Sequence, residues 1–514
     1  MTLATSFKGL LRRPDLIQSQ GYIGGRWLNA ISGTDMAHAK TPRHECSWSS
    51  LGHTYTVTDP SLDTPLGHVA AMTAEDTHVA IAAAEAAFQD WKKTTPTHRG
   101  AILQKWDRLL RENEADLGMI MAKESGKPIA EAIGEVSYAA DYLKFFGHEA
   151  LRSEGFMIPS HANGRRMMAL RQPVGVCGMI TPWNFPIGML ARKVGPALAA
   201  GCTAVVKPAA ATPLSALAFA KLGEEAGVPA GVMNIVPSPH ESAAEIGRTL
   251  CETPQVRKLT FTGSTTVGKQ LTKQCAATLK RVSMELGGLA PFIVFDDADI
   301  PAAVEGLVQG KFRNTGQTCV CPNRVYVQAG SFDAFAEQLV ARVAQLKQGI
   351  AHERGFDLGP LINPGAVDKL TGVVAEAIAH GAKPLLGATP SVLGPAYMTP
   401  TVLTDVTPAM RVAQEECFGP IVALQKFHTE DEVVAAANAT EMGLAAYCYT
   451  KDLGRAWRMS ENLEAGMVGI NVGLISAVQA PFGGIKQSGL GREGSIVGME
   501  DYTELKYVCM GGLA

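Results

Sequence analysis

Between residues 173 and 277 short apolar runs alternate with stretches of helical length. VGVCGMI (174–180), TAVVKP (203–208), VMNIV (232–236) and KLTFTG (258–263) read as strands. FPIGMLARKVGPALAAG (185–201), interrupted near Pro196, reads as a helix, as do 213–226, a stretch ending at Cys251, and 264–277. Strands joined through helices run parallel, and a parallel sheet is covered by helices on both faces. A second series follows: VSMEL and APFIVF as strands, 301–313 as a helix, RVYVQ as a strand, 332–348 as a helix, and further pairs to about Asn471. The chain is therefore α/β, with two successive strand–helix series. Ligands of such sheets bind at the carboxyl ends of the strands.

At 514 residues the chain has room for two to four domains. A net charge of −3 offers no electrostatic footprint for nucleic acid. Ten scattered cysteines fit a reducing compartment better than a disulfide framework. The best apolar run, 194–206, is too short for a membrane span and contains Gly195, Pro196 and Gly201. The basic start, MTLATSFKGLLRR, lacks a secretory apolar core. The cytoplasm is the expected location, with the mitochondrial matrix as the alternative.

GYIGGRWL (21–28) reads as a short hairpin. Residues 36–53 are polar and unpatterned and read as a surface insertion. They hold His38, His44, Cys46 and His53, but at no zinc-ligand spacing, so no metal is expected. Thr73 caps a helix that sets Val79, Ala83, Ala86 and Trp91 on one side, and Thr95-Pro96 starts another. Residues 151–172 look extended, and the tail YTELKYVCM (502–510) alternates like an edge strand.

Five stretches carry potential chemistry, and each has an ordinary structural reading too. KFRNTGQTCVCP (311–322) places Cys319 and Cys321 one residue apart; a thiolate there is a nucleophile, a buried thiol merely small and apolar. TPWNFP (181–186) follows a strand, and its prolines could hold the Asn184 amide as an oxyanion donor or simply make a turn. Glu285 in MELGG leaves a strand before two glycines and could act as a general base, or be a surface carboxylate. FTGSTTVGKQ (261–270) resembles a P-loop, but Gln270 stands where magnesium needs Ser or Thr. Its strand-to-helix junction can still present N–H groups to a phosphate. Lys207 ends a strand, within reach of a ribose or of solvent.

Taken in order, ITPWNFP, RKVGPALAAG, VVKPA, FTGST, MELGG, FRNTGQTCVC, EECFGP and PFGGIKQSGLGREG resemble the aldehyde dehydrogenase superfamily. SMELGGLAPFIVFDDAD, GLISAVQAPFGG and EDYTELKYVC narrow the resemblance to its succinate-semialdehyde-oxidising branch. The match runs from about residue 15 to the end, without the 36–53 insertion.

The resemblance implies an NAD(P)-binding domain of 15–154 and 176–284, a catalytic domain of 285–486, and an oligomerisation element of 155–175 with 487–514. In that element the strands would pair across subunits of a homodimer or homotetramer. It implies Cys319 as nucleophile, Asn184 and the Cys319 N–H as oxyanion donors, and Glu285 as the base for thioester hydrolysis. Cofactor contacts fall on Thr181, Trp183, Lys207, Ala210, Gly263, Ser264, Glu416 and Phe418. Ala210 stands where many NAD-using members carry a glutamate that binds the ribose, which leans toward NADP while leaving NAD open. Arg192, Arg313 and Ser476 match a pocket for an aldehyde with a distal carboxylate. Cys319 and Cys321 match a pair that in some relatives closes reversibly as a disulfide. The expected reaction is oxidation of succinate semialdehyde to succinate, as in GABA degradation. The alternatives are glutarate semialdehyde or another aldehyde, a CoA-acylating relative, which Glu285 disfavours, and a non-catalytic descendant.

Overall fold

A computed structural model describes residues 7–31 and 53–513. The 36–53 insertion, with His38, His44 and Cys46, lies outside the described residues apart from His53. β1 (Gly21–Ile23) and β2 (Arg26–Leu28) form the expected hairpin, turning through Gly24 and Gly25 at positive φ. β3 (Thr54–Asp59) and β4 (Thr64–Ala70) make another. β5 (Phe156–Ile158) and β6 (Arg166–Pro173) occupy the extended segment.

The first βαβ series gives β7 (Val176–Ile180), β8 (Thr203–Lys207), β9 (Met233–Ile235), β10 (Val256–Thr262) and β11 (Arg281–Glu285). The second gives β12 (Ala290–Val294), β13 (Pro322–Gln328), β14 (Lys383–Leu386), β15 (Thr401–Thr404), β16 (Ile421–Phe427), β17 (Ala445–Tyr449) and β18 (Met467–Ile470). The chain ends in β19 (Gly489–Leu490) and β20 (Thr503–Met510).

The first sheet has the order β19-β11-β10-β7-β8-β9-β1-β2, the five from β11 to β9 being parallel. The chain builds outward from β7 through β8 to β9, then returns to lay β10 and β11 on the other side. That reversal leaves a crevice outside the carboxyl ends of β7 and β10. Both faces are covered. Cys177, Met179, Ala204 and Val206 pack with Leu103, Val136, Leu190 and Leu217. Val205, Leu259 and Phe261 pack on the opposite side with Ile81, Ile246, Leu250 and Leu271. The second sheet has the order β14-β15-β16-β13-β12-β17-β18. Its strands alternate in the same way: Phe292 and Val325 join one cluster, Ile293 and Tyr326 another.

Four expectations are corrected. The helix Gly188–Ala200 runs unbroken through Pro196, and every one of its residues is buried. Packing on all sides outweighs the hydrogen bond that proline removes. The helix Ala74–Trp91 buries Ala80, Ile81, Ala84 and Trp91, whereas Val79 is 41% exposed and Ala86 is exposed. In an alanine-rich helix the apolar stripe is wide enough to misplace by a fraction of a turn. The tail strand β20 pairs with β6 inside the same chain, from Thr503 opposite Pro173 to Met510 opposite Arg166. The two strands start together because Val174 N–H donates to Tyr502 O at 3.1 Å. Finally β19, expected with the tail element, joins the first sheet beside β11, with Gly489 opposite Glu285. Two residues are too few to show a period.

Candidate active site

The site lies between the carboxyl ends of the first sheet and the amino ends of β12, β13 and β16 in the second. Asn184 follows β7 in the loop 181–187, where Thr181 N–H donates to Lys207 O at 3.2 Å and ties the loop to β8. Glu285 is the last residue of β11, and its carbonyl accepts from Gly263 N–H at 3.0 Å at the end of β10. Cys319 sits in the connection from the helix Ile300–Phe312 to β13.

That connection is strained. Asn314 and Thr315 are left-handed at φ 48° and 55°, followed by Gly316 at 79°. Each non-glycine residue in that region costs about 1–3 kcal/mol, most for a β-branched threonine. Gly316 could be nothing else, since a Cβ there would meet Gly419 O at 2.2 Å. Gly288, beyond Glu285, passes so close beneath the nucleophile loop that a Cβ would stand 2.6 Å from Cys319 O. Gly288 lets the Glu285 turn meet the Cys319 loop, and Gly316 lets that loop meet the segment at Gly419.

One cavity of about 250 Å³ is lined by Cys319, Asn184 and Glu285 together. Of the expected cofactor residues, Trp183, Gly263, Ser264, Glu416 and Phe418 line it too; Trp183 and Phe418 meet edge to face at 5.7 Å. Of the substrate residues, Arg192, Arg313 and Ser476 all line it. Thr181, Lys207 and Ala210 do not; they lie along the crevice at the ends of β7 and β8. Cys321 is also outside: it is 1% exposed, with Sγ turned to the carbonyls of Lys311 and Pro322 at 3.6 and 3.7 Å. The two thiols of the CVC stretch therefore point into different surroundings. Tyr138, Phe185, Met189 and Phe482 complete the walls and went unmarked in the sequence. Phe185 and Met189 lie within quoted motifs, but nothing distinguished them from core residues.

Asn184 is buried, and its Nδ2 donates to Gln317 O at 3.0 Å, leaving the second N–H of the amide for a ligand. Burial pushes the Cys319 thiol up to about 12; Glu416 and Glu285 add to the rise and Arg192 opposes it. Glu285 is 3% exposed, and among the described residues neither carboxyl oxygen has a hydrogen-bond partner. Burial and then the nearby Glu493 hold it well above the usual carboxylate range, against Arg192, Lys193 and Arg492. Glu493 is kept low despite burial because it pairs with Lys193 and lies 2.9 Å from Arg192.

The two arginines differ. Arg192 is 2% exposed, stacked 3.8 Å over Phe482, and its charge is shared with Glu493. Arg313 rests 4.8 Å over Phe185, and among the described residues it forms no ion pair.

The crevice fits a dinucleotide. Thr212 Oγ1, Ser238 Oγ and Thr262 Oγ1 are buried near the ends of β8, β9 and β10 without hydrogen-bond partners among the described residues. Lys207 is 5% exposed, and among the described residues it donates only to the adjacent Pro208 O; burial draws it down to about 8. Ser264 caps the helix Thr265–Cys275, whose N-terminus can receive a phosphate. Glu416 accepts from Gly288 N–H at 3.1 Å, and burial pushes it up to about 7.

A doubly wound sheet whose switch-point crevice opens into a cavity holding a thiol is the architecture of a dinucleotide-dependent oxidoreductase. The Aldehyde dehydrogenase family profile matches residues 48–508. The glutarate-semialdehyde dehydrogenase of Pseudomonas aeruginosa is 49% identical, over 98% of this chain and 100% of its own. The NADP(+) succinate-semialdehyde dehydrogenase of Escherichia coli is 48% identical, over 98% and 99%. The 3-sulfolactaldehyde dehydrogenase of Pseudomonas putida is also 48% identical, over 98% and 99%. The crystal structure of succinate-semialdehyde dehydrogenase from Burkholderia pseudomallei superposes with a TM-score of 0.92 at 50% identity, covering 98% of this chain and 99% of that one. The chain belongs to the aldehyde dehydrogenase family. Among the described residues no helix is long and apolar enough to cross a membrane.

Proposed function

We propose that this enzyme oxidises succinate semialdehyde to succinate, with NADP preferred over NAD. The observation that carries the reading is a guanidinium without an ion pair among the described residues, Arg313, lining the same cavity as Cys319, Asn184 and Glu285. The succinate-, glutarate- and sulfolactaldehyde-named relatives support it, because each of those aldehydes carries an acid group away from the carbonyl.

In this mechanism the Cys319 thiolate adds to the aldehyde carbon and forms a C–S bond. The carbonyl oxygen becomes an oxyanion, which the second Asn184 N–H and the Cys319 N–H receive. These donors favour the charge that appears only on addition. NAD(P), when bound, supplies the acceptor for the hydride that leaves this carbon. Cys319 is then acylated, and Glu285 takes a proton from the water that opens the thioester. Succinate leaves and the thiolate returns. Lys207, Ser264 and Glu416 would hold and orient the dinucleotide.

Arginine's forked donors match a carboxylate. Because Arg313 has no competing ion pair, Arg313→Ala is expected to raise KM for succinate semialdehyde roughly 10- to 100-fold, the loss of one charge-assisted contact. Propanal should be unaffected. Arg192→Ala should behave differently. It strips a cation from Glu493 and Glu285, so kcat should fall on both aldehydes. Steady-state assays on the two substrates separate the variants; equal KM changes for both aldehydes in Arg313→Ala would contradict the assignment. Running the wild type on succinate and glutarate semialdehydes with both cofactors, at 340 nm, tests the reaction itself.

Ala210 lies three residues beyond β8 and is partly buried. A methyl group neither accepts from a ribose 2′-hydroxyl nor repels a 2′-phosphate. Ala210→Glu should shift the ratio of kcat/KM for NADP over NAD downward by about tenfold or more, a charge repulsion of 1–2 kcal/mol. An unchanged ratio would show that cofactor choice is made elsewhere.

A homo-oligomer is part of the proposal. Phe156, Met157, Leu505 and Tyr507 of the β5-β6-β20 sheet are each more than half exposed. Large apolar side chains gathered on so small a sheet mark an interface.

A further inference from the structure

The loop that carries Asn184 and the loop that carries Cys319 are far apart in sequence, yet both are gripped by one helix, Ile129–Glu149, and the residues just before it. Glu135 Oε1 accepts from Ile187 N–H at 3.1 Å and Gly188 N–H at 3.0 Å, and Glu135 Oε2 pairs with Lys127. Lys127 Nζ donates to Asn184 O at 2.8 Å. One turn earlier on the helix, Glu131 Oε2 accepts from Asn314 N–H at 2.7 Å, at the first of the strained left-handed residues. Asn314 Nδ2 then reaches both Asn184 O and Gln317 O, each at 3.2 Å. Gln317 O is also the acceptor that fixes the Asn184 amide.

We infer that Glu131 is a positioning residue for the reaction: with the Lys127–Glu135 pair it braces the Cys319 loop against Asn184 and so sets the geometry of the oxyanion site. Two consecutive non-glycine residues at positive φ persist only where their surroundings over-determine them. Two clamps do this. Thr315 exchanges hydrogen bonds with Gly359, its Oγ1 donating to Gly359 O at 3.2 Å and accepting from Gly359 N–H at 3.1 Å. Glu131 holds Asn314 from the other side. Without Glu131, the Asn314 N–H loses its acceptor and the turn can relax toward ordinary backbone geometry. Because Asn314 bridges Asn184 and Gln317, that relaxation would move both the amide donor and the nucleophile.

The inference rests on the reading that Cys319 and Asn184 carry out the addition step. It depends on the reach of the Glu131 side chain and not on its charge, which separates two variants. Glu131→Gln keeps the acceptor in place and removes the charge. Glu131→Asp keeps the charge and withdraws the acceptor by one methylene. Each should be assayed on succinate semialdehyde and propanal. Each should also be assayed, without any cofactor, on hydrolysis of 4-nitrophenyl acetate, an activated ester that needs the same nucleophile and oxyanion donors. The expected result is that Glu131→Asp loses about tenfold or more in kcat on all three with KM within twofold, since small misplacements of reacting groups are costly. Glu131→Gln should remain within threefold of wild type. Glu131→Gln as impaired as Glu131→Asp would mean that charge matters and would overturn the brace, as would a wild-type Glu131→Asp. A loss confined to succinate semialdehyde would overturn it too, by showing an effect through Arg313. Undiminished ester hydrolysis in Cys319→Ala would instead overturn the nucleophile assignment, and the brace with it.

Discussion

Replacing Cys319 by alanine is expected to reduce kcat/KM for aldehyde oxidation by roughly 10,000-fold or more, the scale on which removal of a catalytic nucleophile acts. Affinity for NADP, followed by quenching of tryptophan fluorescence, should be unchanged, because Lys207 lies along the crevice outside the cavity that holds Cys319. Cys321 cannot substitute: its Sγ faces the Lys311 and Pro322 carbonyls, outside the cavity. The wild-type thiol has a signature of its own. With the group pushed up to about 12, thiolate is roughly 1 part in 10,000 at pH 8 and grows tenfold with each pH unit. Alkylation of Cys319 by iodoacetamide in the cofactor-free enzyme should follow that slope up to at least pH 9. A plateau near pH 7 would show a preformed thiolate and contradict the burial argument. Residual activity of Cys319→Ala above one part in a hundred would contradict the nucleophile assignment.

What could be read before the structure, and what could not, divides by distance along the chain. β7 and β12 were legible because a strand buried on both faces is apolar throughout, a local property. The site residues Asn184, Glu285 and Cys319 were legible because each sits inside a compact motif at a strand end. The supports of those residues were not. Lys127 reaches Asn184 across 57 positions, Glu131 reaches Asn314 across 183, and Lys193 reaches Glu493 across 300. No window holds both partners, and in GKPIAEAIGE the two carboxylates look like an ordinary solvated helix face. The same limit explains the arginines. Arg192 and Arg313 were equivalent as letters, and only the position of Glu493 made one a committed charge and the other a free one. It also explains the tail: alternation marked a strand in 502–510, but the partner strand was settled by the contact of Val174 with Tyr502.

Glu285→Gln should separate the two halves of the reaction. Glutamine keeps the shape of the side chain and removes its capacity to take a proton, and general-base assistance is worth roughly 100- to 10,000-fold. Steady-state kcat should fall within that range. A pre-steady-state burst at 340 nm, close to one equivalent per site, should persist, because acylation of Cys319 precedes the step that needs the base. Hydroxylamine, which attacks a thioester without help, should restore turnover. In the wild type burial raises the Glu285 carboxyl, so deacylation should accelerate as pH rises and Glu285 ionises; in Glu285→Gln that dependence should vanish. Stability should not suffer, since among the described residues the carboxyl oxygens have no hydrogen-bond partner to lose. If the burst disappeared together with steady-state turnover, Glu285 would be acting earlier, as the base that ionises Cys319. The unusually high thiol would then be explained by a proton passed directly between these two groups, and the division of labour between nucleophile and base would have to be redrawn.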